Sequence, residues 1–398
     1  MESLKVEKPW GRIEGVRPVK HVLRMRQEGV SDEEIRKSLK KEYEISDKKL
    51  DIMFSVADRE EEVIKTLKPD SVGLYVDIPF CPSKCIYCSF ASMSTQKMGR
   101  YVEPYLNALF DEIDKAKKIV GDLGLKIESV YFGGGTPTTL LSLEIDSLIR
   151  KLKESFDFSH LREFTIEAGR PDTITEEKLK VLKKHGVDRI SVNPQSMNDK
   201  TLKVIGRNHS TDDFKRAFEL VRSYGFRCIN TDLIAGLPGE TADDFKYSLD
   251  EVLKLSPENI TVHTMSIKRA ANINIFGCDT KSASDDEIAE MIDYSYNTLY
   301  EEGYFPYYLY RQKNILGGME NTGFSKKDMS GIYNIVMMEE ISTVVSLGVG
   351  AVTKLVRPDL IERIFNFKDV IEYINRIEEI KERKNYIYEF YNFKEEQP

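Results

Sequence analysis

Three cysteines lie close together in the stretch YVDIPFCPSKCIYCSFAS, at Cys81, Cys85 and Cys88. A structural zinc site usually takes four tetrahedral ligands, often from two separated cysteine pairs, and this sequence has no second pair. A cubane iron–sulfur cluster is normally closed by four cysteines, so three would leave one iron open to a small molecule. An open coordination position distinguishes a reactive metal site from a structural one. The spacing therefore favours a reactive cluster; the alternative is a structural metal site with a distant fourth ligand.

A glycine run and an acidic residue follow the cysteine segment along the chain. Gly133, Gly134 and Gly135 in YFGGGTPTTL carry no side chain, so backbone groups can approach a ligand closely there. Many glycine runs are only turns, which is the alternative for this one. Glu167 in TIEAGRP ends a predicted strand, where its carboxylate can accept hydrogen bonds. The alternative for Glu167 is an acid on the surface.

Three more polar residues lie in the next two segments. The stretch SVNPQSMNDKTLKVIGRNH contains Gln195 and Arg207, and NTDLIAGLPGET contains Asp232 before a Gly-Leu-Pro-Gly turn. Taken singly, Arg207 is typical of a solvated helix and Asp232 of a loop. Their order and spacing after the cysteines are the stronger evidence for a function.

Strands and helices alternate around these motifs. Apolar and β-branched runs predict strands at residues 72–78, 127–134, 163–169, 188–194, 228–236 and 259–267. Amphipathic helix patterns separate them, as in TEEKLKVLKKHG, where Leu179 and Leu182 form an apolar stripe. Near the N-terminus, Ser31 and Glu34 predict a capping box.

This alternation predicts an α/β fold of parallel βα units wound with one hand. The strands are nearly continuous apolar runs, which is typical of a sheet covered on both faces. An open or partial (β/α) barrel is therefore favoured over a sandwich. In such folds functional residues gather at the carboxyl ends of the strands, and both the cysteine segment and the glycine run follow a strand there.

Composition excludes several classes of function. The chain has 398 residues, an apolar share of 41% and a formal net charge of −8 spread along its length, so no basic field indicates nucleic-acid binding. No apolar run approaches the ~20 residues that span a bilayer, and the start MESLKVEKPWG lacks the apolar region of a signal peptide. Five cysteines, odd in number and with three of them clustered, do not resemble a disulfide framework. We therefore expect a cytoplasmic protein.

The cysteine motif C-x-x-x-C-x-x-C, with the aromatic Tyr87 before its last cysteine, resembles the radical S-adenosylmethionine (SAM) superfamily. That resemblance implies one 4Fe-4S cluster whose unique iron binds SAM, and reductive cleavage of SAM to methionine and a 5'-deoxyadenosyl radical. Over residues 70–355 the segments resemble the oxygen-independent coproporphyrinogen III oxidases, or dehydrogenases. The stretches PWGRIEGVRPVK and YYLYRQKNILGGMENTGF are most like its HemZ-type subgroup.

The resemblance implies a site, residue by residue. Cys81, Cys85 and Cys88 match the cluster ligands, and Tyr75 matches a tyrosine that contacts substrate or SAM; these form the implied catalytic set. The positions that match SAM contacts are Tyr75, Tyr87, Gly134, Gly135, Thr136, Glu167, Gln195, Arg207, Asp232, Ser266 and Val352.

The resemblance also implies an organisation in three segments. We expect a helical N-terminal accessory region at 1–70, a partial (β/α)6 TIM-like radical SAM barrel at 71–303, and a short α-rich extension at 304–398 that covers substrate. HemZ-type chains usually have a longer N-terminal region, so a short family member or a trimmed chain is expected.

The implied function is anaerobic porphyrin and heme synthesis, by oxidative decarboxylation of coproporphyrinogen III propionates to vinyl groups, giving protoporphyrinogen IX. The implied partners are a tetrapyrrole, coproporphyrinogen III or heme, and an electron donor such as flavodoxin or ferredoxin. A monomer without a membrane span or nucleic-acid partner is expected. Arg311 and Lys313, after an aromatic run, are a hypothesis for binding the anionic substrate, and a core strand ending in solvated charges is the alternative.

Other functions stay open at this point. Dehydrogenases of the family commonly carry a further cysteine where this chain has Phe90. Members that resemble heme chaperones carry phenylalanine at this position, as this chain does. A 4Fe-4S protein that binds and transfers heme is therefore the main alternative. A radical SAM enzyme for another tetrapyrrole and a structural metal protein are the others. Cys228 is expected to be buried and Cys278 to be a free thiol in a loop, while His263 and His209 are weaker candidates for a substrate contact.

Overall fold

The computed structural model describes residues 9–13, 15–266, 283–358 and 360–392. The α-helices of these residues are α1 (Val19–Gln27), α2 (Asp32–Tyr43), α3 (Asp47–Ile64), α4 (Thr95–Met98), α5 (Val102–Asp122), α6 (Ser142–Ser155), α7 (Glu176–Lys184), α8 (Asp199–Val204), α9 (Thr211–Ser223), α10 (Ala242–Lys254), α11 (Asp285–Glu301), α12 (Ile332–Glu339), α13 (Val370–Asn375), α14 (Ile377–Arg383) and α15 (Tyr386–Asn392). The strands are β1 (Ser71–Ile78), β2 (Phe80–Cys81), β3 (Met93–Ser94), β4 (Lys126–Gly134), β5 (Glu163–Glu167), β6 (Arg189–Ser191), β7 (Cys228–Ala235), β8 (Asn259–Thr264), β9 (Phe305–Tyr310), β10 (Asn321–Ser325), β11 (Val344–Leu347), β12 (Val352–Arg357) and β13 (Leu360–Phe365).

The chain divides into two compact units, each assembled from three stretches of sequence. Unit 1 comprises Met1–Thr66, Gln195–Ile205 and Thr231–Glu339, and unit 2 comprises Leu67–Pro194, Gly206–Asn230 and Glu340–Pro398. Strand β7 contributes its first residues to unit 2 and its last residues to unit 1. The three segments expected from the resemblance are a different kind of division and stay a prediction.

Unit 2 is built on parallel strands. Strand β1 pairs in parallel with β4 on one side and β11 on the other, and parallel pairing continues from β4 through β5 and β6 to the start of β7. Strands β12 and β13 extend this sheet beyond β11 in antiparallel pairs. The predicted α/β class, with a mostly parallel central sheet, is therefore confirmed.

Unit 1 contains the end of β7 and strands β8, β10 and β9, in that order of neighbours. Strand β10 is antiparallel to both β8 and β9. The N-terminal helices α1 to α3 belong to the same unit. Among the described helices, none has the length and the apolar character that crossing a lipid bilayer requires.

Local sequence explains where several elements begin and end. The Ser31 hydroxyl accepts from the Glu34 amide at 3.4 Å while the Ser31 amide donates to the Glu34 carboxylate at 3.2 Å, so the predicted capping box starts α2. Leu179 and Leu182 are the buried face of α7, as the apolar stripe predicts. All six predicted strands are present. Strand β6 is shorter than its predicted range, and Pro194 lacks the N–H that a longer ladder would need.

The C-terminal part differs from the α-rich extension that we expected. Strands β9 to β13 come from this region together with α12 to α15. The charged tail after β13 forms three short helices, α13, α14 and α15. Arg376 leaves helical geometry with φ −122° and ψ 31°, and Lys384 ends α14 with its side chain fully buried.

The reason for the second break is a buried network in unit 2. The Lys384 ammonium lies 3.0 Å from the carboxylate of Glu112 on α5, and both side chains are fully buried. The Glu112 carboxylate also accepts from the Gly348 amide at 2.8 Å, the Tyr373 hydroxyl at 2.6 Å and the Asn366 amide nitrogen at 2.7 Å. This carboxylate therefore ties the segment after β11 and the C-terminal helices to α5.

A second buried ion pair fixes the N-terminal segment within unit 1. The Glu320 carboxylate accepts from the indole nitrogen of Trp10 at 2.6 Å and pairs with the Lys49 ammonium. The Arg311 guanidinium stacks over the Trp10 ring at 5.4 Å from its centroid. These contacts hold the start of the chain against the β9–β10 hairpin.

Candidate active site

The three cysteines occupy one loop after β1. Cys81 ends the short strand β2, which pairs with β3, and the Cys88 amide donates to the Cys85 carbonyl at 3.2 Å. All three are free thiols; Cys85 is buried and the other two are half-buried. The loop therefore presents three separate sulfur donors at the carboxyl end of the first strand of the parallel sheet, as predicted.

The chemistry of these thiols fits a metal cluster. Burial raises the pKa of Cys81 to about 11 and raises that of Cys88, and the neighbouring thiolates add to both shifts. Thiolates so placed repel one another in a poorly solvated site, and bound metal cations would favour the ionised form there. Among the described residues no three His, Cys, Asp or Glu side chains are grouped closely enough to hold a single ion.

The glycine run lies directly against the cysteine loop. The Gly135 amide donates to the Ile78 carbonyl and the Thr136 amide to the Phe80 carbonyl, both at 2.8 Å. A Cβ on Gly135 would lie only 2.7 Å from the Phe80 oxygen, so only glycine permits this approach. The Thr136 hydroxyl lies 3.4 Å from the Cys81 sulfur. The structure thus brings two predicted motifs together.

Gly134 is held by its backbone conformation and by a buried acid. Its φ is +98°, in the region that favours glycine, and an added Cβ would collide with the carboxylate of Asp77. Burial, and then the charges of Glu167 and Glu112, raise the pKa of Asp77 well above its usual range. The protonated acid is therefore favoured beside the glycine run.

Tyr75 and Glu167 form a chain of polar groups across the first strands. The Tyr75 hydroxyl donates to Asp77 at 3.1 Å, and the Tyr75 ring stacks on Tyr131, with 6.3 Å between centroids. The Tyr131 hydroxyl donates to Glu167 at 2.5 Å. Because β1, β4 and β5 are neighbours in register, these side chains meet at the same end of the sheet.

Arg207 is buried and reaches back to the cysteine loop. Its guanidinium donates to the Tyr87 hydroxyl at 3.2 Å, to the Gly169 carbonyl at 3.1 Å and to the Asn193 carbonyl at 2.5 Å. Burial acts to lower its pKa, but the opposite charges of Tyr87 and Cys85 outweigh that effect and raise it. The surface-helix alternative for Arg207 is therefore excluded by its burial.

Two further basic residues, Arg170 and His209, lie beside Arg207; the sequence made His209 a weaker candidate for a substrate contact and indicated no role for Arg170. The Arg170 guanidinium donates to the carboxylate of Asp172 through two bonds of 3.1 Å and lies 3.8 Å from the Cys85 sulfur. His209 is 4% exposed, and neither ring nitrogen has a hydrogen-bond partner within the described residues. Burial, then Arg207 and Arg170, lower the pKa of His209 to about 4, so the neutral imidazole is favoured.

Unit 1 holds the predicted residues Gln195, Asp232 and Ser266. The Gln195 backbone has φ 69°, unusual for a residue with a side chain, and its amide donates to the Asp232 carbonyl at 3.0 Å. The Asp232 carboxylate lies 3.8 Å from the ring of His263, which in turn lies 3.4 Å from the Tyr310 hydroxyl. Asp232 therefore lies within β7, His263 lies near the end of β8, and Gln195 forms an isolated parallel bridge with Leu233 of β7.

The remaining predicted residues have plainer surroundings. Ser266 donates through its hydroxyl to the Lys313 carbonyl at 3.0 Å, and Val352 is half-buried at the start of β12 in unit 2. Arg311 donates to the carbonyls of Ile13 at 2.9 Å and Gly318 at 3.0 Å. Because these two bonds use the Arg311 guanidinium within the fold, they favour the alternative in which Arg311 belongs to the core strand and does not bind substrate. Cys228 is buried as expected.

The structure groups most of the candidate residues in unit 2. That group consists of Tyr75, Cys81, Cys85, Tyr87, Cys88, Gly134, Gly135, Thr136, Glu167, Arg207 and Val352. Gln195, Asp232 and Ser266 belong to unit 1. Cys278 lies outside the described residues. Asp77 and Arg170 were missed, although each is a charged residue at the carboxyl end of a predicted strand.

Comparison with known proteins identifies what the chain resembles as a whole. The model of the radical SAM superfamily matches residues 75–252. The oxygen-independent coproporphyrinogen-III oxidase-like protein HemZ of Bacillus subtilis is 42% identical over 95% of this chain and 77% of its own length. The heme chaperone HemW of the same organism is 39% identical over 49% of this chain and 50% of its own length.

A solved structure supports the fold. Coproporphyrinogen III oxidase HemN from Escherichia coli aligns with a TM-score of 0.62, covering 82% of this chain and 73% of that chain. Its identity is 23%, so this likeness concerns the fold alone. It confirms the predicted radical SAM type of α/β architecture.

Proposed function

Because this chain belongs to the radical SAM superfamily and, within it, to the HemN/HemZ family, we propose that it oxidatively decarboxylates coproporphyrinogen III. Two propionates would become vinyl groups in turn, giving protoporphyrinogen IX. The observation that carries this proposal is the similarity to an oxidase-like protein over 95% of this chain, whereas the similarity to a heme chaperone covers 49%.

The family uses a 4Fe-4S cluster and SAM, and the proposed reaction balances with both. When bound, the reduced cluster and SAM supply a 5'-deoxyadenosyl radical that takes one hydrogen atom from the β-carbon of a propionate. The propionate then loses carbon dioxide and gives one electron to an acceptor, which leaves the vinyl group. A one-electron donor such as flavodoxin or ferredoxin would reduce the cluster.

The residues of unit 2 have distinct roles in this proposal. Cys81, Cys85 and Cys88 are proposed to hold the cluster, since their thiols are free and lie on one loop. Bound metal would offset the burial that raises the pKa of Cys81 and Cys88. Arg207 is proposed to bind an anionic group of SAM, because it is buried beside Tyr87 with its Nε lacking any hydrogen-bond partner in the described part of the chain.

Neighbouring groups would orient SAM and keep water out. The backbone of the glycine run approaches closely enough to contact the methionine part, and Gly134, Gly135 and Thr136 are proposed for this. The Glu167 carboxylate, held by Tyr131, is proposed to accept from the ribose. Tyr75 is fixed by Asp77, whose favoured neutral form keeps a proton beside the site.

A heme chaperone is the second candidate, and one observation favours it. Phe90 stands where the oxidases commonly have another cysteine, and its side chain is 67% exposed, so it does not serve the core. A chain that keeps the cluster but only carries heme would not need that cysteine. Tight stoichiometric binding of heme, without deoxyadenosine formation from SAM, would favour this candidate.

An anaerobic product assay tests the proposal. The reconstituted protein is incubated with SAM, a strong reductant, a one-electron acceptor and coproporphyrinogen III, and the products are analysed by mass spectrometry. We expect deoxyadenosine and a porphyrinogen that has lost carbon dioxide and two hydrogens at each of two propionates. Deoxyadenosine without decarboxylation would reject this substrate and keep the enzyme class.

Matched cysteine variants separate the cluster from general stability. Cys85→Ala should abolish both the cluster absorption and deoxyadenosine formation. Cys228→Ala changes another buried thiol, in β7, and should retain both. An unchanged cluster signal in Cys85→Ala would contradict the proposed ligand set.

A further inference from the structure

Arg170 is a buried cation beside the proposed cluster ligand Cys85. Its side chain is 3% exposed. One terminal nitrogen lies 3.1 Å from the Ser83 hydroxyl and 3.8 Å from the Cys85 sulfur, within reach of an N–H donated to sulfur. The guanidinium is held in this position from the other side by the carboxylate of Asp172. It is therefore fixed against the loop and cannot swing into solvent.

The Ser83 hydroxyl extends this contact through the loop. It donates to the Gly206 carbonyl at 3.2 Å, next to Arg207 in sequence. Gly206 has φ +77°, and a Cβ there would lie 3.9 Å from the Cys85 Cα, so the two segments pack closely. Arg170 thus contacts the loop at both Ser83 and Cys85.

The charges around Cys85 are unequal. Arg170 and Arg207 are both buried cations there, whereas Asp172 is an acid whose side chain is 27% exposed and screens Arg170 in part. A positive charge beside a cluster sulfur favours the reduced cluster, because reduction adds one negative charge. Net charge and hydrogen bonds to the sulfurs are the terms that set the potential of such clusters.

We infer that Arg170, balanced by Asp172, sets the reduction potential of the cluster through its contact with the Cys85 sulfur. Arg170 acts here as a positioning and charge-tuning residue and not as a ligand. The inference rests on the proposed role of Cys85 as a ligand. It does not depend on which substrate the enzyme uses.

The test is a redox titration of the reconstituted protein without porphyrinogen. Wild type, Arg170→Gln, Arg170→Lys and Asp172→Asn are compared by the intensity of the reduced-cluster EPR signal against solution potential. In Arg170→Gln we expect the ratio of reduced to oxidised cluster at a fixed potential to fall roughly tenfold, which is ~59 mV for one electron. Asp172→Asn should shift the ratio in the opposite direction. Arg170→Lys keeps the charge and should restore most of the wild-type ratio.

The matched control is Arg189→Gln, another buried arginine of unit 2, which pairs with Glu163 on the neighbouring strand. Its potential should stay close to that of wild type. Equal potentials in Arg170→Gln and Asp172→Asn, or shifts of both in one direction, would overturn the inference. If Arg170→Gln binds too little iron to be titrated, Asp172→Asn serves as the test by itself. A cluster potential in Asp172→Asn that is equal to or lower than that of wild type would then overturn the inference. The protein could show a lower potential in Arg170→Gln and a higher potential in Asp172→Asn, and yet fail to decarboxylate coproporphyrinogen III. That result would uphold the inference and reject the proposed function.

Discussion

Replacing Lys384 by Met should cost this protein several kcal/mol of stability. The ammonium lies 3.0 Å from the Glu112 carboxylate, and neither side chain is exposed. At that distance the attraction is about 5 kcal/mol with an effective dielectric constant of ~20. Gly348, Tyr373 and Asn366 continue to donate to the carboxylate after the change, so part of its solvation survives. We expect a loss of about 3–5 kcal/mol, as for other buried pairs that lose one partner.

Urea unfolding followed by far-UV circular dichroism measures this cost, as the shift of the midpoint multiplied by the slope m. Lys381→Met is the matched control in α14, because Lys381 pairs on the surface with Glu378 and should change stability by less than about 1 kcal/mol. The double variant Glu112→Gln with Lys384→Met removes both charges and should lose less than Lys384→Met alone. A loss below about 1 kcal/mol in Lys384→Met, or an equal loss in the double variant, would refute this reasoning.

Three further predictions concern single side chains. Burial raises the pKa of Glu240 to about 7, so the folded protein keeps a proton that the unfolded chain loses near the usual pKa of 4.5. As the pH rises from 4.5 to 7, the unfolding free energy of wild type should therefore fall by about 3 kcal/mol relative to that of Glu240→Gln. Urea unfolding at a series of pH values measures this difference. Tyr131→Phe removes the hydroxyl that donates to the Glu167 carboxylate, and the loss of this hydrogen bond should cost about 1 kcal/mol. SAM binding measured by equilibrium dialysis should therefore weaken roughly fivefold, while the circular dichroism spectrum stays unchanged. Ser31→Ala removes the cap of α2 and should cost about 1 kcal/mol in urea unfolding, and Ser31→Gly only a few tenths.

The parts of the fold that depend on short stretches of sequence were predictable. Ser31 and Glu34 cap α2 because the two side chains and amides are neighbours in the chain. The apolar runs that predict β1 and β4 are also the buried strands of unit 2, since covering both faces of a parallel sheet requires such runs. The break after Lys384 was not predictable, because the buried partner of Lys384 is Glu112, which is far away in sequence.

The candidate site also contains local features that the sequence predicts and long-range contacts that it does not. The cysteines are close in sequence, so their spacing alone predicts a common ligand. Arg170 lies 85 residues from Cys85, and nothing near either residue in the sequence indicates the contact. Asp77 was visible as an acid inside an apolar strand, but only the approach of Gly134 gives it a reason to be there. Arg311 shows the opposite case. Its position after an aromatic strand suggested a substrate contact, but its guanidinium donates to backbone carbonyls of its own unit.

The parallel pairing of β1 with β11 has a consequence for how the chain is made. Ser71 and Ser342, at the adjoining ends of this pair, are 271 residues apart in sequence. At the usual rate of about 5–20 residues per second, a ribosome needs tens of seconds to deliver β11 after β1 has emerged. During translation the cysteine loop therefore leaves the ribosome well before β11 is available to pair with β1.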